Sequence, residues 1–561
     1  MPANYFRFIP SGLCNSPAIH IMYNFNIIKS MSIVTKNLTY KHPDNTTLFD
    51  NISFSIYKGD KVALIGNNGT GKSTLLHLIS GFLKIQKGEI IASSSPYYVP
   101  QHFGQFNELT VAEALNIETK LKSLHAILDG DASTTNFTLL DDDWNIEERS
   151  LAALSVWGLG HIQLNQRIGT LSGGEKTKVF LAGIQIHNPQ ILLMDEPTNH
   201  LDRNSREKLY NLILSTPATM IVVSHDRILL NKLSYIYELS KLGITAYGGN
   251  YDFYKDIKRQ QQNALFSKLE SKEKELRVIR KTAQESAERQ EKHDSRGKKA
   301  NIRKGIPKIV LNSLQSKAEK STAKLKETHT EKVSDLSEEI AGLRKSLPNI
   351  QGMKLDFSSS DLHTGKILIS AKNINFGYNN NLLWKEPLSF EVRSGDRLSL
   401  LGNNGSGKTT LLKLITGQLE PTEGIIVRAD FNYVYIDQEY SIIQPDLSIY
   451  EQVKEYNTKL LAEHELKMIL NRYLFPFGTW DKKCKQLSGG EKMRLVFCCL
   501  MISNQAPDLF ILDEPTNNLD IHSIDIITTV MNEYRGTILV VSHDLTFTKE
   551  IRANTRYLEL V

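Results

Sequence analysis

Apolar residues follow two different rhythms along this chain. In the outer portions they gather into short strand-like runs, among them Lys61–Ile65, Ile191–Met194, Arg397–Leu401 and Leu509–Leu512, each leading into a polar turn and then a helical pattern. That succession predicts an α/β fold. In the middle portion, from about Tyr254 to Leu347, the apolar positions thin to a seam among Lys, Glu, Arg and Gln. Leu265, Leu269, Leu276, Ile279 and Ala283 are separated by steps of four, seven, three and four, and Leu336, Ile340, Leu343 and Leu347 by four, three and four. Such heptad-like spacing predicts two helices with charged outer faces. Gly297, Gly305 and Pro307 fall between them and predict the turn. The middle portion is therefore expected to be an antiparallel helical hairpin.

The outer portions carry the same motifs in the same order. Lys61–Ile65 runs into Gly66-Asn67-Asn68-Gly69-Thr70-Gly71-Lys72-Ser73, and Arg397–Leu401 into Gly402-Asn403-Asn404-Gly405-Ser406-Gly407-Lys408-Thr409. Both fit G-x-x-x-x-G-K-[ST] between a strand and an apolar helix, expected at Thr74–Leu83 and Thr410–Leu419. This is the context in which glycines let backbone N–H groups cradle phosphates. Lys72 and Lys408 would reach the β/γ-phosphates of ATP, and the Ser73 and Thr409 hydroxyls would face Mg²⁺. Downstream lie Leu171-Ser172-Gly173-Gly174-Glu175 and Leu487-Ser488-Gly489-Gly490-Glu491, each opening a helix whose free N–H groups suit a γ-phosphate.

Apolar strands then end in Asp195-Glu196-Pro197 and Asp513-Glu514-Pro515. The first acid of each pair suits Mg²⁺, held through water, and the second suits polarising a water. Val-rich strands lead to Ser224-His225-Asp226 and Ser542-His543-Asp544. Glu196 to His225 and Glu514 to His543 are each 29 positions apart, which points to duplication. The copies differ in one interval. Gln101 to Ser172 spans 71 positions and Gln438 to Ser488 spans 50. The surplus, near Leu121–Arg149 with its acidic Asp141-Asp142-Asp143, is either a longer loop in a helical subdomain or a small arm for a partner.

Composition narrows the class. The chain has 561 residues, 40% hydrophobic and 23% charged, with net charge +5, ordinary values for a soluble protein of several domain-sized units. No run approaches the roughly 18 apolar residues of a membrane span. Four cysteines, Cys14, Cys484, Cys498 and Cys499, lack metal-ligand spacing and read as buried thiols in a reducing cytosol. Residues 1–30 hold Pro2, Pro10, Gly12 and Pro17 and no signal-peptide pattern. Met31 is expected to be the natural start, with residues 1–30 either disordered or an artefact of start-site choice. The expected boundaries are 31–250 and 351–561 for the repeats and 251–350 for the linker.

At the expected hairpin tip, Arg296-Gly297-Lys298-Lys299-Ala300-Asn301-Ile302-Arg303-Lys304 holds five basic residues and no acid, with Lys308 beyond. It reads either as a positive end suited to phosphates or as an ordinary solvated helix–turn.

With these motifs in place the chain resembles the ATP-binding cassette family over about Ser32–Asn250 and Lys366–Val561. The resemblance implies two P-loop cassette domains, two ATP sites and Mg²⁺. It implies that Tyr40 and Tyr378 stack on adenine, although a core or turn tyrosine is as compatible with the spacing. It implies that Gln101 and Gln438 sense Mg²⁺ and the attacking water, and that Asn199-His200-Leu201-Asp202 and Asn517-Asn518-Leu519-Asp520 couple the sites. Thr74 and Thr410 complete the phosphate loops.

In such a head-to-tail pair, Lys72, Ser73, Gln101, Asp195, Glu196 and His225 would meet Ser488, Gly489, Gly490 and Glu491. Lys408, Thr409, Gln438, Asp513, Glu514 and His543 would meet Ser172, Gly173, Gly174 and Glu175. Two cassettes without a membrane span, joined by a charged helical linker entered through Tyr247-Gly248-Gly249-Asn250-Tyr251, resemble the ABC-F group of cytosolic translation factors. That resemblance implies a monomeric cytoplasmic ATPase acting on the ribosome, its linker directed at ribosomal RNA and the peptidyl-site tRNA. Translation regulation, relief of stalling and antibiotic protection are all open.

Two other classes are weaker. A transporter's energising subunit has no evident use for the linker. A DNA-maintenance ATPase generally splits one cassette with its coiled coil, whereas both cassettes here are continuous.

Overall fold

A computed structural model describes the chain except residues 1–30, 44–45, 241–242, 304–326, 328–329, 345–362, 364, 379–380, 504–505, 518 and 561, and the side chains of 287, 290–291, 293–295 and 297–303. The expectations for residues 1–30, Lys304, Gly305, Pro307, Lys308, Leu347 and Asn518 lie outside the described residues. The chain divides into a unit of Met1–Tyr251 with Gly352–Val561, and a second unit, Asp252–Gln351.

In the first repeat the strands are β1 (Met31–Lys41), β2 (Thr47–Tyr57), β3 (Lys61–Ile65), β4 (Lys87–Ala92), β5 (Tyr97–Val99), β6 (Ile191–Asp195), β7 (Thr219–Val223), β8 (Tyr235–Ser240) and β9 (Gly243–Tyr247). β1 pairs antiparallel with β2 and β4 on either side. The second sheet runs β5-β6-β7-β3-β8-β9, parallel except for the terminal β8–β9 hairpin. β6 and β7 are buried along their whole length, as their unbroken apolar sequences require of strands covered on both faces.

The second repeat builds the same two sheets, except that among the described residues its parallel sheet has five strands and no counterpart of β9. Ile367–Asn375 lies between Leu388–Arg393 and Glu423–Arg428, and the parallel sheet runs Tyr433–Ile436, Leu509–Asp513, Thr537–Val541, Arg397–Gly402, Arg556–Leu560. Because β3 and Arg397–Gly402 are interior strands, both phosphate loops emerge at the carboxyl ends of their sheets, where open α/β folds place ligands. Cys484, Cys498 and Cys499 are buried and free.

The surplus in the first repeat is helical rather than loop. Glu118–Leu128, Thr134–Leu140 and Ile146–Val156 are helices. The acidic triplet forms the turn between the last two, with Asp141 and Asp142 at φ 54° and 53°. Asp143 accepts from Lys120 Nζ at 3.1 Å and Arg149 Nη2 at 2.9 Å, tying the neighbouring helices together.

In the second unit one helix, Tyr251–Arg303, is 53 residues long, about 80 Å at 1.5 Å per residue. It passes through Gly297, so the turn does not begin there. One glycine costs a helix only about 1 kcal/mol relative to alanine, and the Lys, Arg and Ala around it are good helix formers. The predicted seam is the less exposed face: Leu265, Leu269, Leu276, Ile279 and Ala283 are half-buried. Residues 330–344 are also helical, with Leu336 and Ile340 buried. The two helices meet through Lys272–Glu339 at 3.1 Å and Arg344–Glu273 at 2.6 Å.

Candidate functional site: paired phosphate-binding loops

Each phosphate loop is a left-handed turn capped by a helix. Gly71 and Gly407 sit at φ 96° and 88°, immediately before helices Lys72–Ile79 and Lys408–Ile415. A Cβ at Gly71 would also come within 2.6 Å of the Leu48 side chain, so conformation and space both require glycine. Lys72 Nζ folds back to donate to the Gly66 and Asn67 carbonyls at 2.7 and 3.2 Å. Lys408 does the same to Gly402 and Asn403 at 2.8 and 3.0 Å. Burial holds both ammonium groups below their usual pKa, opposed mainly by the charges of Glu196 and of Glu514 respectively.

The acids stand opposite. Asp195 and Asp513 end fully buried strands, and burial raises both pKa values. A tyrosine on the strand next to each holds them. Tyr98 Oη donates to Asp195 Oδ2 at 3.4 Å and Tyr435 Oη to Asp513 Oδ2 at 3.0 Å. These tyrosines carry no motif of their own, but each lies three residues before its glutamine in both copies, a repeat-based signal that could have found them.

The glutamates that follow sit on left-handed backbone, Glu196 at φ 49° and Glu514 at φ 48°. Such a conformation costs of order 1–3 kcal/mol and persists where surroundings over-determine it. Here the Glu196 N–H donates to the Val223 carbonyl at 2.9 Å and Glu514 N–H to Val541 at 2.8 Å. The histidine backbone closes the arrangement, His225 N to Glu196 Oε2 at 3.4 Å and His543 N to Glu514 Oε2 at 3.2 Å. Burial lifts Glu196 to about 8, with the Asp195 charge adding to it, and Glu514 to about 7. Burial lowers both His225 and His543 to about 3, keeping the imidazoles neutral.

The remaining Oε1 atoms of Glu196 and Glu514 lie 3.3 and 3.4 Å from the imidazole Nε2 atoms but make no hydrogen bond, and Asp195 Oδ1 has none either. Orphaned carboxylate oxygens beside a lysine and a hydroxyl fit a ligand carrying its own polar atoms. A carboxylate with one hydroxyl (Ser73 with Asp195, Thr409 with Asp513) matches a Mg²⁺ ion that shares its shell with phosphates.

The two cavities are not alike. The first, about 330 Å³, is lined by Asn68, Gly69, Gly71, Lys72, Ser73, Thr74, Gln101, Asp195, Glu196 and His225, with His42 and Leu48 at its side. Tyr40 does not line it but packs on Phe49 and His42. Ser488, Gly489, Gly490 and Glu491 do not line it either; the opposite repeat reaches this side through Asp520, whose Oδ2 accepts from Asn68 N at 3.1 Å.

The second cavity, about 520 Å³, joins Asn404, Gly405, Gly407, Lys408, Thr409, Thr410, Gln438, Asp513, Glu514 and His543 with Ser172, Gly173 and Gly174 of the first repeat. Tyr378 lines it, its hydroxyl 3.3 Å from Thr410 Oγ1, and Asn404 Nδ2 donates across to the His200 carbonyl at 3.0 Å. Glu175 and Glu491 face their own helices instead. Each closes a capping box, Glu175 Oε2 accepting from Ser172 N at 2.8 Å and Glu491 Oε2 from Ser488 N at 2.8 Å. Gly66, Asn67, Thr70, Gly402, Asn403 and Ser406 shape the loops without lining the cavities.

The model of the family described as ABC transporter matches residues 49–199 and 386–517, one match in each repeat. The ATP-binding protein Uup of Haemophilus influenzae is 30% identical over 548 residues, covering 92% of this chain and 77% of that protein. ABC transporter F family member 2 of Arabidopsis thaliana is 28% identical over 551 residues, covering 93% of this chain and 76% of that protein. The chain belongs to the ABC-F group of ATP-binding cassette proteins. The fold agrees. A solved complex of an archaeal ribosomal stalk protein with the archaeal ribosome recycling factor aABCE1 has TM-score 0.55 and 17% identity, covering 93% of this chain and 87% of that one. The structure described as RNase-L Inhibitor has TM-score 0.54 and 18% identity, covering 92% and 86%. As an ABC-F protein the chain is an ATP-binding, tandem-cassette member of a family of ATPases. No described helix is long and apolar enough to cross a membrane.

Proposed function

We propose that this ABC-F protein hydrolyses ATP at two sites between its cassettes and acts on the ribosome through its linker. The observation that carries the hydrolysis reading is the buried glutamate on strained backbone, clamped by the N–H of a neutral histidine, in both cassettes. In this reading Gln101 with Glu196, and Gln438 with Glu514, orient the attacking water, and the glutamate in its ionised form takes the water's proton. His225 and His543 hold the carboxylate in place and face the γ-phosphate.

Lys72 and Lys408 exchange their loop carbonyls for phosphate oxygens, and the loop N–H groups bind the β-phosphate. Tyr378 stacks on adenine in the second site. His42 takes that place in the first, where Tyr40 is turned to the core. Mg²⁺ held by Ser73 with Asp195, and by Thr409 with Asp513, would neutralise charge on the phosphates. Ser172-Gly173-Gly174 already lines the second cavity, and closure would bring Ser488-Gly489-Gly490 to the first. Contacts to the γ-phosphate from both halves favour the closed form only while ATP is intact, which turns hydrolysis into opening.

What supports the ribosome as target is the likeness to a tandem-cassette ribosome recycling factor solved with a ribosomal stalk protein, and the basic sequence Arg296–Lys304, which begins in the long helix Tyr251–Arg303. The protein then works as a cytoplasmic monomer, its linker approaching ribosomal RNA and peptidyl-site tRNA. The test is phosphate release with and without purified ribosomes. Ribosomes should accelerate release, and Glu196→Gln with Glu514→Gln should abolish it. Unchanged release in the double variant removes the catalytic assignment; hydrolysis indifferent to ribosomes removes the partner.

A further inference from the structure

The cassettes do not treat each other equally. Asp202 caps helix Arg203–Ser215 by accepting from Ser205 N at 2.8 Å, and Asp520 caps helix Ile521–Glu533 by accepting from Ser523 N at 2.8 Å. With that register fixed by matching caps, Ile524 stands where the first cassette has Arg206. Arg206 is 9% exposed and Ile524 1%. Arg206 Nε donates to the Leu201 carbonyl at 3.1 Å, orienting the guanidinium. Its Nη1 lies 3.7 Å from Asp226 Oδ2, beside His225 of the first site. The same Nη1 donates to the His543 carbonyl of the opposite cassette at 3.4 Å. Arg206 lines the second cavity together with Lys408, Glu514 and His543. One planar cation thus touches both histidine loops, a task suited to a guanidinium fork and impossible for an apolar side chain.

We infer that Arg206 is a one-sided positioning residue: it fixes the His543 loop of the second site from across the interface, and the first site receives no matching support because Ile524 occupies the mirror position. The inference rests on the hydrolysis reading above. Electrostatics agree with it. Burial raises Glu514 and the Arg206 charge opposes that rise, whereas the causes that shift Glu196 include no arginine. What faces the first site from the opposite cassette is the carboxylate of Asp520, bound to Asn68 N.

The test isolates each site. In a Glu196→Gln background only the second site turns over; in a Glu514→Gln background only the first does. Arg206→Ile, which copies the mirror residue, should lower kcat about fivefold or more in the Glu196→Gln background, as loss of a charged hydrogen-bond partner predicts, with KM for ATP changed less than about twofold. In the Glu514→Gln background the same substitution should lower kcat by a clearly smaller factor, since there it removes only the 3.7 Å ion pair with Asp226 and no contact to the histidine carbonyl. Arg206→Lys, which keeps the charge, should recover part of the second-site rate.

Equal losses in the two backgrounds, or a loss confined to KM, would overturn the inference. If Arg206→Ile does not fold, Arg206→Gln carries the same contrast. Turnover that persists without a site contrast refutes only the role of Arg206. Absence of turnover in the unmodified chain refutes the hydrolysis reading and this inference with it.

Discussion

Replacing Glu514 by Gln should make the nucleotide-free protein more stable, and by an amount that depends on pH. Burial raises the Glu514 carboxyl from 4.5 to about 7 in the folded chain. Between those values the unfolded chain has released a proton that the folded chain retains. Stability therefore falls as pH rises through this window, and the loss is complete above about 7. A shift from 4.5 to about 7 at about 1.4 kcal/mol per unit corresponds to a penalty of about 3 kcal/mol. Glutamine has the same shape and no charge to desolvate, so it escapes the penalty at every pH. His543 stays neutral in both proteins, with its pKa lowered to about 3, and cancels in the comparison. Thermal unfolding of the two proteins should nearly coincide at pH 4.5, while at pH 8 the variant should melt higher by about 3 °C. Glu196→Gln should behave alike over a wider window, since Glu196 is raised to about 8. A gap that is the same at both pH values, or that narrows as pH rises, refutes the reasoning.

Other expectations follow from the interface and the linker. A Cβ at Gly174 would come within 2.8 Å of the His200 carbonyl and 3.4 Å of Asn404 Nδ2, while the helix itself would tolerate alanine. Gly174→Ala should therefore lower ATP turnover several-fold and, because the His200 carbonyl of the same cassette must also shift, lower the melting temperature by about 1–3 °C. Arg227, 4% exposed, holds Asp525 at 2.7 Å and Glu550 at 2.6 Å across the cassettes. Its replacement by alanine should destabilise the first unit by about 1–2 kcal/mol, read by urea unfolding, because both carboxylates keep access to water when the cation is lost. Changing Lys298, Lys299, Arg303 and Lys304 to Ser should leave ribosome-free ATP turnover within about twofold and weaken ribosome binding more strongly at raised salt.

The phosphate loops, the acid-terminated strands and the Ser-Gly-Gly helix starts were legible because each is local. A strand, a glycine turn and a helix start occupy consecutive residues, and the duplication printed every one twice. Which side chain flanks the nucleotide base was not local. His42 follows the end of β1, two residues after Tyr40; Tyr40 packs on Phe49 and His42 lies beside the first cavity. Gly297 misled because glycine reads as a break, whereas a long helix of strong formers absorbs its cost. Glu175 and Glu491 looked like phosphate neighbours, but the S-x-x-E spacing that made them conspicuous is a capping box, and their carboxylates are spent on Ser172 and Ser488. The inequality of the two sites was present in the sequence as Arg206 against Ile524. It becomes meaningful only when the fold brings Arg206 to the His543 carbonyl, 337 positions away.

The claim that joins these parts is that ATP-bound closure of the cassettes creates the ribosome-binding form. Sedimentation of the Glu196→Gln, Glu514→Gln double variant with ribosomes tests it most directly, because this variant retains the loops that bind ATP and lacks the groups assigned to opening. The account predicts that it pellets with ribosomes when ATP is present and stays in the supernatant without nucleotide. Equal pelleting with and without ATP, or none in either case, contradicts it.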